Sequence, residues 1–266
     1  MGRHLKSHAS LSVCALSIKV GNRTLIRHLT HIFAPGELWC IAGPNGAGKT
    51  TLIATLAGLH APTHGAIELD ARHLAQWPLE ELARRRTLLT QSRPAVTHVS
   101  VWHTVLLARY PHGMRWGCPS TADQVRIDAA LDLFGLTLLA KRDVHTLSGG
   151  EQKRVALAAA FCQDAPLMLL DEPLAHLDWP HQIACLQHLR HWLTEGAGTP
   201  RSVIFSCHDI NLARHFATHA LLLDGTGGTQ CGLARETLSP GHISRVFGHP
   251  FRLVCHGQDE VLIPAL

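Results

Sequence analysis

Eight consecutive residues, Gly43-Pro44-Asn45-Gly46-Ala47-Gly48-Lys49-Thr50, constrain this chain more than any others. They satisfy G-x-x-x-x-G-K-[ST], a pattern with physical content only between a buried strand and a helix. Both neighbours are present. ELWCIAG is a short apolar run ending in glycine and reads as a buried strand. TTLIATLAGL, with Leu52, Leu56 and Leu59 on one face and Gly58 near its stop, reads as a helix. Glycines let backbone N–H groups turn inward around phosphate oxygens, and the following helix adds the positive end of its dipole. Gly43 to Thr51 is therefore the candidate nucleotide-binding segment, with Lys49 reaching the β- and γ-phosphates and the Thr50 hydroxyl a ligand for Mg²⁺.

Such a loop needs a carboxylate to hold the metal ion. Leu167 to Leu170 form a buried run with Asp171 at its carboxyl end, where ligands bind in open parallel sheets. Asp171 would hold Mg²⁺ through water, and Glu172 is placed to accept a proton from an attacking water. Around this pair, strands and helices alternate: helix at 150–163, strand LMLLD, helix at 180–195, strand SVIFSCH, helix at 210–217, strand ALLLDG. That order implies an α/β fold with a mainly parallel sheet and helices on its faces. LSVCALSIKV and TLIRHLTHIF, joined at Gly21-Asn22, add strands at the N-terminus. From Val99 to Leu147 the texture is helical. VWHTVLLARY reads as one helix ended by Pro111. A second starts at capping signals around Ser120, Thr121, Asp123 and Gln124, carries Val125, Ala129 and Leu133 as an apolar stripe, and exits at Gly135.

Leu147-Ser148-Gly149-Gly150-Glu151-Gln152 stands directly before a helix and upstream of the acidic pair. Gln91 ends the strand candidate TLLTQ, Ala175-His176-Leu177-Asp178 follows the pair, and His208 ends SVIFSC. Together and in this order, over nearly the whole chain, these resemble the signature motif, Q-loop, D-loop and switch histidine of ABC-type ATPases. The resemblance implies a P-loop NTPase of ABC type: a single domain over 11–250, a helical subdomain of about 95–163 inserted in it, and a short C-terminal extension at 251–266. It implies catalytic roles for Lys49, Gln91, Glu172 and His208, Mg²⁺ ligation by Thr50, Gln91 and Asp171, and a D-loop role for Asp178. In that family two domains face head to tail, so that the signature of one, here 147–152, covers the ATP held by the phosphate loop of the other. One phosphate loop and one signature in the chain therefore imply a homodimer. One position departs from the pattern. Many ABC ATPases stack adenine on an aromatic residue before the glycine of the first turn, but Val20 precedes Gly21 here. Weak discrimination between ATP and GTP is expected.

No apolar run approaches the ~18 residues of a membrane span, and the start MGRHLKSHAS has no apolar core of a secretory signal. A span would lie on a partner chain, which points to the stand-alone subunit of a multi-part transporter, peripheral to the cytoplasmic face of the inner membrane. Val105 to His112 resembles the x-x-G-R-x-P-H stretch of ATPases serving iron-siderophore, haem and vitamin B12 importers, with Ala108 in place of the glycine. Val101-Trp102-His103 and the tail from Phe251 to Leu266 resemble the vitamin B12 importer ATPase most. The implied partners are transmembrane permease subunits and, indirectly, a substrate-binding protein; His112 is a candidate for the permease-facing surface. Rivals using the same ATP sandwich are DNA-repair mechanoenzymes, but the gap between Thr50 and Leu147 has no sustained heptads. A DNA-binding regulator is disfavoured by the net charge of +4 and the lack of a DNA-reading module, so no nucleic-acid partner is expected. Eight scattered cysteines without C-x-x-C read as reduced, buried thiols. Of the 21 histidines, His4/His8, His60/His64 and His188/His191 have metal-compatible spacing but no supporting cysteine or carboxylate set.

Overall fold

The computed structural model describes residues 10–91, 98–113, 118–195, 199–257 and 259–265. His4, His8 and the first residues of the expected helical middle lie outside them. Strands β1 (Leu11–Val20) and β2 (Arg23–Phe33) form an antiparallel hairpin in which Val20 pairs directly with Arg23 across the Gly21-Asn22 turn. The chain continues through β3 (Leu38–Ala42), α1 (Lys49–Leu56), β4 (His64–Leu69), β5 (Arg72–His73), α2 (Leu79–Arg85) and β6 (Arg86–Leu89). A helical stretch follows, α3 (Val101–Leu107), α4 (Thr121–Leu133) and α5 (Gly149–Gln163). Then come β7 (Leu167–Leu170), α6 (Trp179–Glu195), β8 (Ser202–Ser206), α7 (Ile210–Phe216), β9 (His219–Leu223) and β10 (Thr229–Leu233). Helices α8 (Ala234–Thr237) and α9 (Pro240–Phe247) and the hairpin β11 (Phe251–His256) and β12 (Asp259–Pro264) close the chain.

The central sheet has the order β10-β9-β3-β8-β7-β6; all strands are parallel except β10, which pairs antiparallel with β9. The second sheet, β2-β1-β4-β5, is antiparallel throughout. Central strands are buried on both faces, so they read as unbroken apolar runs, and alternate residues feed opposite cores. Leu38, Cys40 and Ala42 join Met168, Leu170, Val203 and Phe205 beneath α3 to α7. Trp39 and Ile41 join Leu167, Leu169 and Ile204 against α1 and the antiparallel sheet. The C-terminal hairpin docks on α7: Asn211 exchanges two hydrogen bonds with the Leu262 backbone, at 3.1 and 2.8 Å, and Arg214 pairs with Glu260 at 3.0 Å.

Four local expectations are corrected. In α4 the stripe Val125, Ala129, Leu133 faces solvent, and Ile127, Ala130 and Leu131 are buried together with Asp123. The face is chosen by Asp123, drawn inward by Arg109 at 2.8 Å. VWHTVLLARY is not one helix: α3 ends at Leu107 and Tyr110–His112 form a 3₁₀ turn. Pro111 lacks the N–H that would bond the carbonyl four residues back. Leu59 lies beyond the end of α1 and is exposed. All eight cysteines are free, but Cys14, Cys118, Cys231 and Cys255 are exposed; Cys40, Cys162, Cys185 and Cys207 are the buried ones.

Candidate active site

Parallel strands deliver their carboxyl ends to one edge of a sheet. Four adjacent strands, β3, β8, β7 and β6, bring there the loop after Ala42, the Cys207-His208 turn, Asp171-Glu172 and Gln91. A cleft of about 390 Å³ is lined by Asn45, Gly46, Gly48, Lys49, Thr50 and Thr51 together with Gln91, Glu172 and His208, and on its other wall by Val20, Arg23 and Leu25. Gly43 has φ +148°, and a Cβ there would lie 2.5 Å from the Leu223 carbonyl oxygen, so the loop's close approach to β9 admits only glycine. Gly46 and Gly48 also have positive φ. Ala47 is buried while Asn45 and Thr50 are exposed, and Lys49, buried, donates to the carbonyls of Gly43 (2.8 Å) and Pro44 (3.1 Å). Burial lowers the Lys49 pKa, partly opposed by the carboxylates of Glu172 and Asp171.

The acidic pair is held by a residue the sequence reading did not single out. Ser206 Oγ donates to Asp171 Oδ1 at 2.8 Å and accepts from the Glu172 backbone N–H at 2.8 Å. The available signal was a serine closing the buried strand β8 next to His208, because a buried hydroxyl requires a partner. Glu172 adopts φ +48°, a conformation uncommon for a residue with a side chain. Its Oε2 accepts from Gln91 Nε2 at 2.8 Å and its Oε1 meets His208 Nε2 at 2.6 Å. Asp171 is almost wholly buried, and its Oδ2 has no hydrogen-bond partner among the described residues. An orphaned, buried carboxylate oxygen within electrostatic reach of Lys49 suits a cation better than solvent.

Leu147 to Gln152 lead into the first turn of α5. Ser148 caps α5: its Oγ accepts from the Glu151 N–H, and its own N–H donates to Glu151 Oε2 at 2.8 Å. That contact holds the Glu151 carboxyl below its usual range. Leu147 is buried, and its carbonyl accepts from Gln152 Nε2 at 3.1 Å. A Cβ on Gly150 would lie 2.9 Å from the His176 carbonyl oxygen, so the start of α5 packs on the backbone before Asp178. Gly149, Gln152, Gln91 and His176 share a second, smaller cleft there. Asp178 is exposed and caps α6 through the His181 N–H at 3.2 Å. Residues 147–152 do not line the cleft of the phosphate loop in the same chain.

Arg109, in the x-x-G-R-x-P-H stretch, is buried; besides Asp123 it donates to the carbonyls of Cys162 and Gln163 at the end of α5. His112 Nε2 also meets the Gln163 carbonyl, at 2.7 Å. Among the described residues there is no group of three or more His, Cys, Asp or Glu side chains that could hold a metal ion, and no helix long and apolar enough to cross a membrane.

Three comparisons bear on this geometry. The family model described as ABC transporter matches residues 26–175. The ferric enterobactin transport ATP-binding protein FepC of Escherichia coli is 34% identical over 233 residues, 88% of this chain and 85% of that protein. The hemin import ATP-binding protein HmuV of Gloeobacter violaceus is 35% identical over 273 residues, covering 96% and 97%. The iron(3+)-hydroxamate import ATP-binding protein FhuC of Bacillus subtilis is 31% identical over 238 residues, covering 90% and 87%. Among solved structures, a metal-chelate type ABC transporter in an inward-facing conformation superposes with a TM-score of 0.81 at 26% identity, over 97% of this chain and 98% of that one.

Proposed function

This chain belongs to the ABC transporter family, and from that premise we propose that it is the ATP-hydrolysing subunit of an importer for a metal chelate. The relatives named above serve ferric enterobactin, haem and ferric hydroxamates, so an iron chelate or haem is the first cargo class; the resemblance at Val101-Trp102-His103 and in the tail keeps cobalamin as the second. The observation that carries the reading is the meeting of the phosphate loop, His208, Asp171-Glu172 and Gln91 along one sheet edge.

Phosphoryl transfer needs positioning and charge more than covalent chemistry. The inward N–H groups of Gly43 to Thr51 and the start of α1 take the phosphates, and Lys49 leaves its two carbonyl partners for the β- and γ-phosphates. Thr50, Gln91 and the free Oδ2 of Asp171 are the side chains that would hold Mg²⁺, which when bound neutralises charge between the β- and γ-phosphates. Glu172 is the general base. Its carboxylate is aimed by Gln91 on one oxygen and His208 on the other, and exchanging the histidine contact for the γ-phosphate leaves that oxygen ready for a proton from water. Leu147 to Gln152 serve the partner copy: at the start of α5 the Ser148 hydroxyl, whose proton the cap leaves unused, and the Gly150 N–H face the γ-phosphate of the facing subunit, with Asp178 beside the seam. The active unit is a homodimer, peripheral to the inner face of the membrane through permease subunits; a substrate-binding protein delivers the cargo to the permease.

Uptake by vesicles reconstituted with the co-purified permease tests this. ATP-dependent accumulation of haem, a ferric siderophore or cobalamin, abolished by Glu172→Gln, is expected. ATP hydrolysis without uptake of any of the three would remove the importer reading.

A further inference from the structure

Among the described residues no Phe, Tyr or Trp ring lines the wall of the cleft facing the phosphate loop, where Val20, Leu25 and Arg23 stand. Val20 and Arg23 are directly opposed across the hairpin turn. Side chains of directly opposed residues project from the same face of an antiparallel ribbon, so the guanidinium rises beside the exposed valine into the same cleft. It does not hang free in solvent. Nη2 donates to the Gly225 carbonyl at 3.0 Å, and Nη1 lies 3.5 Å from where a Cβ on Gly46 would be, so the group is fixed above the phosphate loop. Arg27, four residues along β2, holds the next carbonyl of the same turn, that of Thr226, at 3.4 Å. The turn is further stiffened by Asp224, whose Oδ1 accepts from the N–H groups of Thr226 (2.7 Å) and Gly228 (2.9 Å).

Resting on the ATP reading above, we propose that Arg23 is the base platform of this site: its tethered guanidinium plane stacks on the purine, with Val20 and Leu25 flanking it. A guanidinium is planar, weakly hydrated and attracted to π faces, which a lysine ammonium is not. Every purine offers a π face, so the platform holds adenine and guanine alike. The Gly225 tether removes most of the side-chain entropy that stacking would otherwise cost.

Calorimetric titration of the full-length chain with ATP, GTP and inorganic tripolyphosphate decides the matter. Arg23→Ala is expected to weaken ATP and GTP in parallel by roughly 3- to 30-fold while leaving tripolyphosphate unchanged. Arg23→Lys should behave like Arg23→Ala, and adding Val20→Tyr to Arg23→Ala should restore the affinity for both nucleotides. Unchanged nucleotide affinity in Arg23→Ala overturns the assignment. So does an equal loss for tripolyphosphate, which would make Arg23 a phosphate contact, or a loss that Val20→Tyr does not repair, which would make it only a clamp on the 224–228 turn. Wild-type protein that binds neither nucleotide would refute the ATP reading itself, a result distinct from all of these.

Discussion

Replacing Arg109 by alanine should destabilise the fold rather than disturb an exposed docking surface. The side chain is 6% exposed and Asp123 is 9% exposed. Their contact at 2.8 Å is charge-assisted, and Nη1 also serves Cys162 O (2.9 Å) and Gln163 O (3.2 Å) at the end of α5. Gln163 O keeps His112 as a partner, whereas Cys162 O sits where a helix offers no N–H of its own. The charge-assisted bond contributes about 1.5–3 kcal/mol and the carbonyl contacts about 1 kcal/mol more. The total of roughly 2.5–4 kcal/mol overlaps the ~3–5 kcal/mol cost of removing one partner of a buried pair. For a chain of this size that corresponds to a fall in Tm of roughly 5–16 °C by differential scanning calorimetry near neutral pH. Nucleotide affinity measured well below Tm should be unchanged. Asp123 adds a pH signature: the Arg109 bond, then Ser120, holds its carboxyl below the usual range. A depressed folded pKa stabilises above the unfolded value of about 3.9, and that stability is lost as pH falls through the folded value. The gap between wild type and variant should therefore be constant near neutrality and narrow below about pH 4. A Tm shift under about 2 °C, or a gap independent of acid, would refute the burial argument.

Outcomes for four further variants are expected. Glu172→Gln should lose roughly 10²–10⁴ in kcat while retaining ATP affinity, and with saturating Mg-ATP it should sediment as a dimer; unchanged kcat removes the base role, and a strict monomer removes the shared-site arrangement. His208→Ala should keep nucleotide binding and slow hydrolysis, as read by single-turnover rates, whereas Lys49→Ala should lose binding in the same titration that wild type passes. Gly43→Ala should express as a destabilised chain, because its new Cβ meets the Leu223 carbonyl at 2.5 Å in a backbone conformation with φ +148°; a Tm equal to wild type would show that the loop can move away from β9.

The strands of the parallel sheet were legible because burial on both faces writes them as continuous apolar runs, with the polar residue that ends each run standing at the sheet edge. Asp171, His208 and Gln91 were found in that way, and the phosphate loop by its glycines. What escaped was whatever depends on a partner distant in sequence. Val125, Ala129 and Leu133 satisfy a helical period as well as Asp123, Ile127, Ala130 and Leu131 do, and only the contact of Asp123 with Arg109 decides which face turns inward. The exposed cysteines escaped for a related reason: residue type alone does not say which face of a strand a thiol occupies, as Cys14 on β1 and Cys231 on β10 show. The Arg109 stretch was legible as a family likeness, but its burial was not, since nothing local tells a docking arginine from one that knits two helices together.

Ser206 links the two acidic residues with a hydroxyl that owns a single proton. That proton is committed to Asp171 Oδ1, so only a lone pair is left for the Glu172 amide. The seam between β7 and β8 is thereby polarised in one direction, and the two oxygens of Asp171 are not interchangeable. One is held by the scaffold, and the other is buried without a hydrogen-bond partner among the described residues. On the proposed reading, a cation reaching Asp171 would meet a carboxylate already oriented by Ser206, with little side-chain rotation left to freeze.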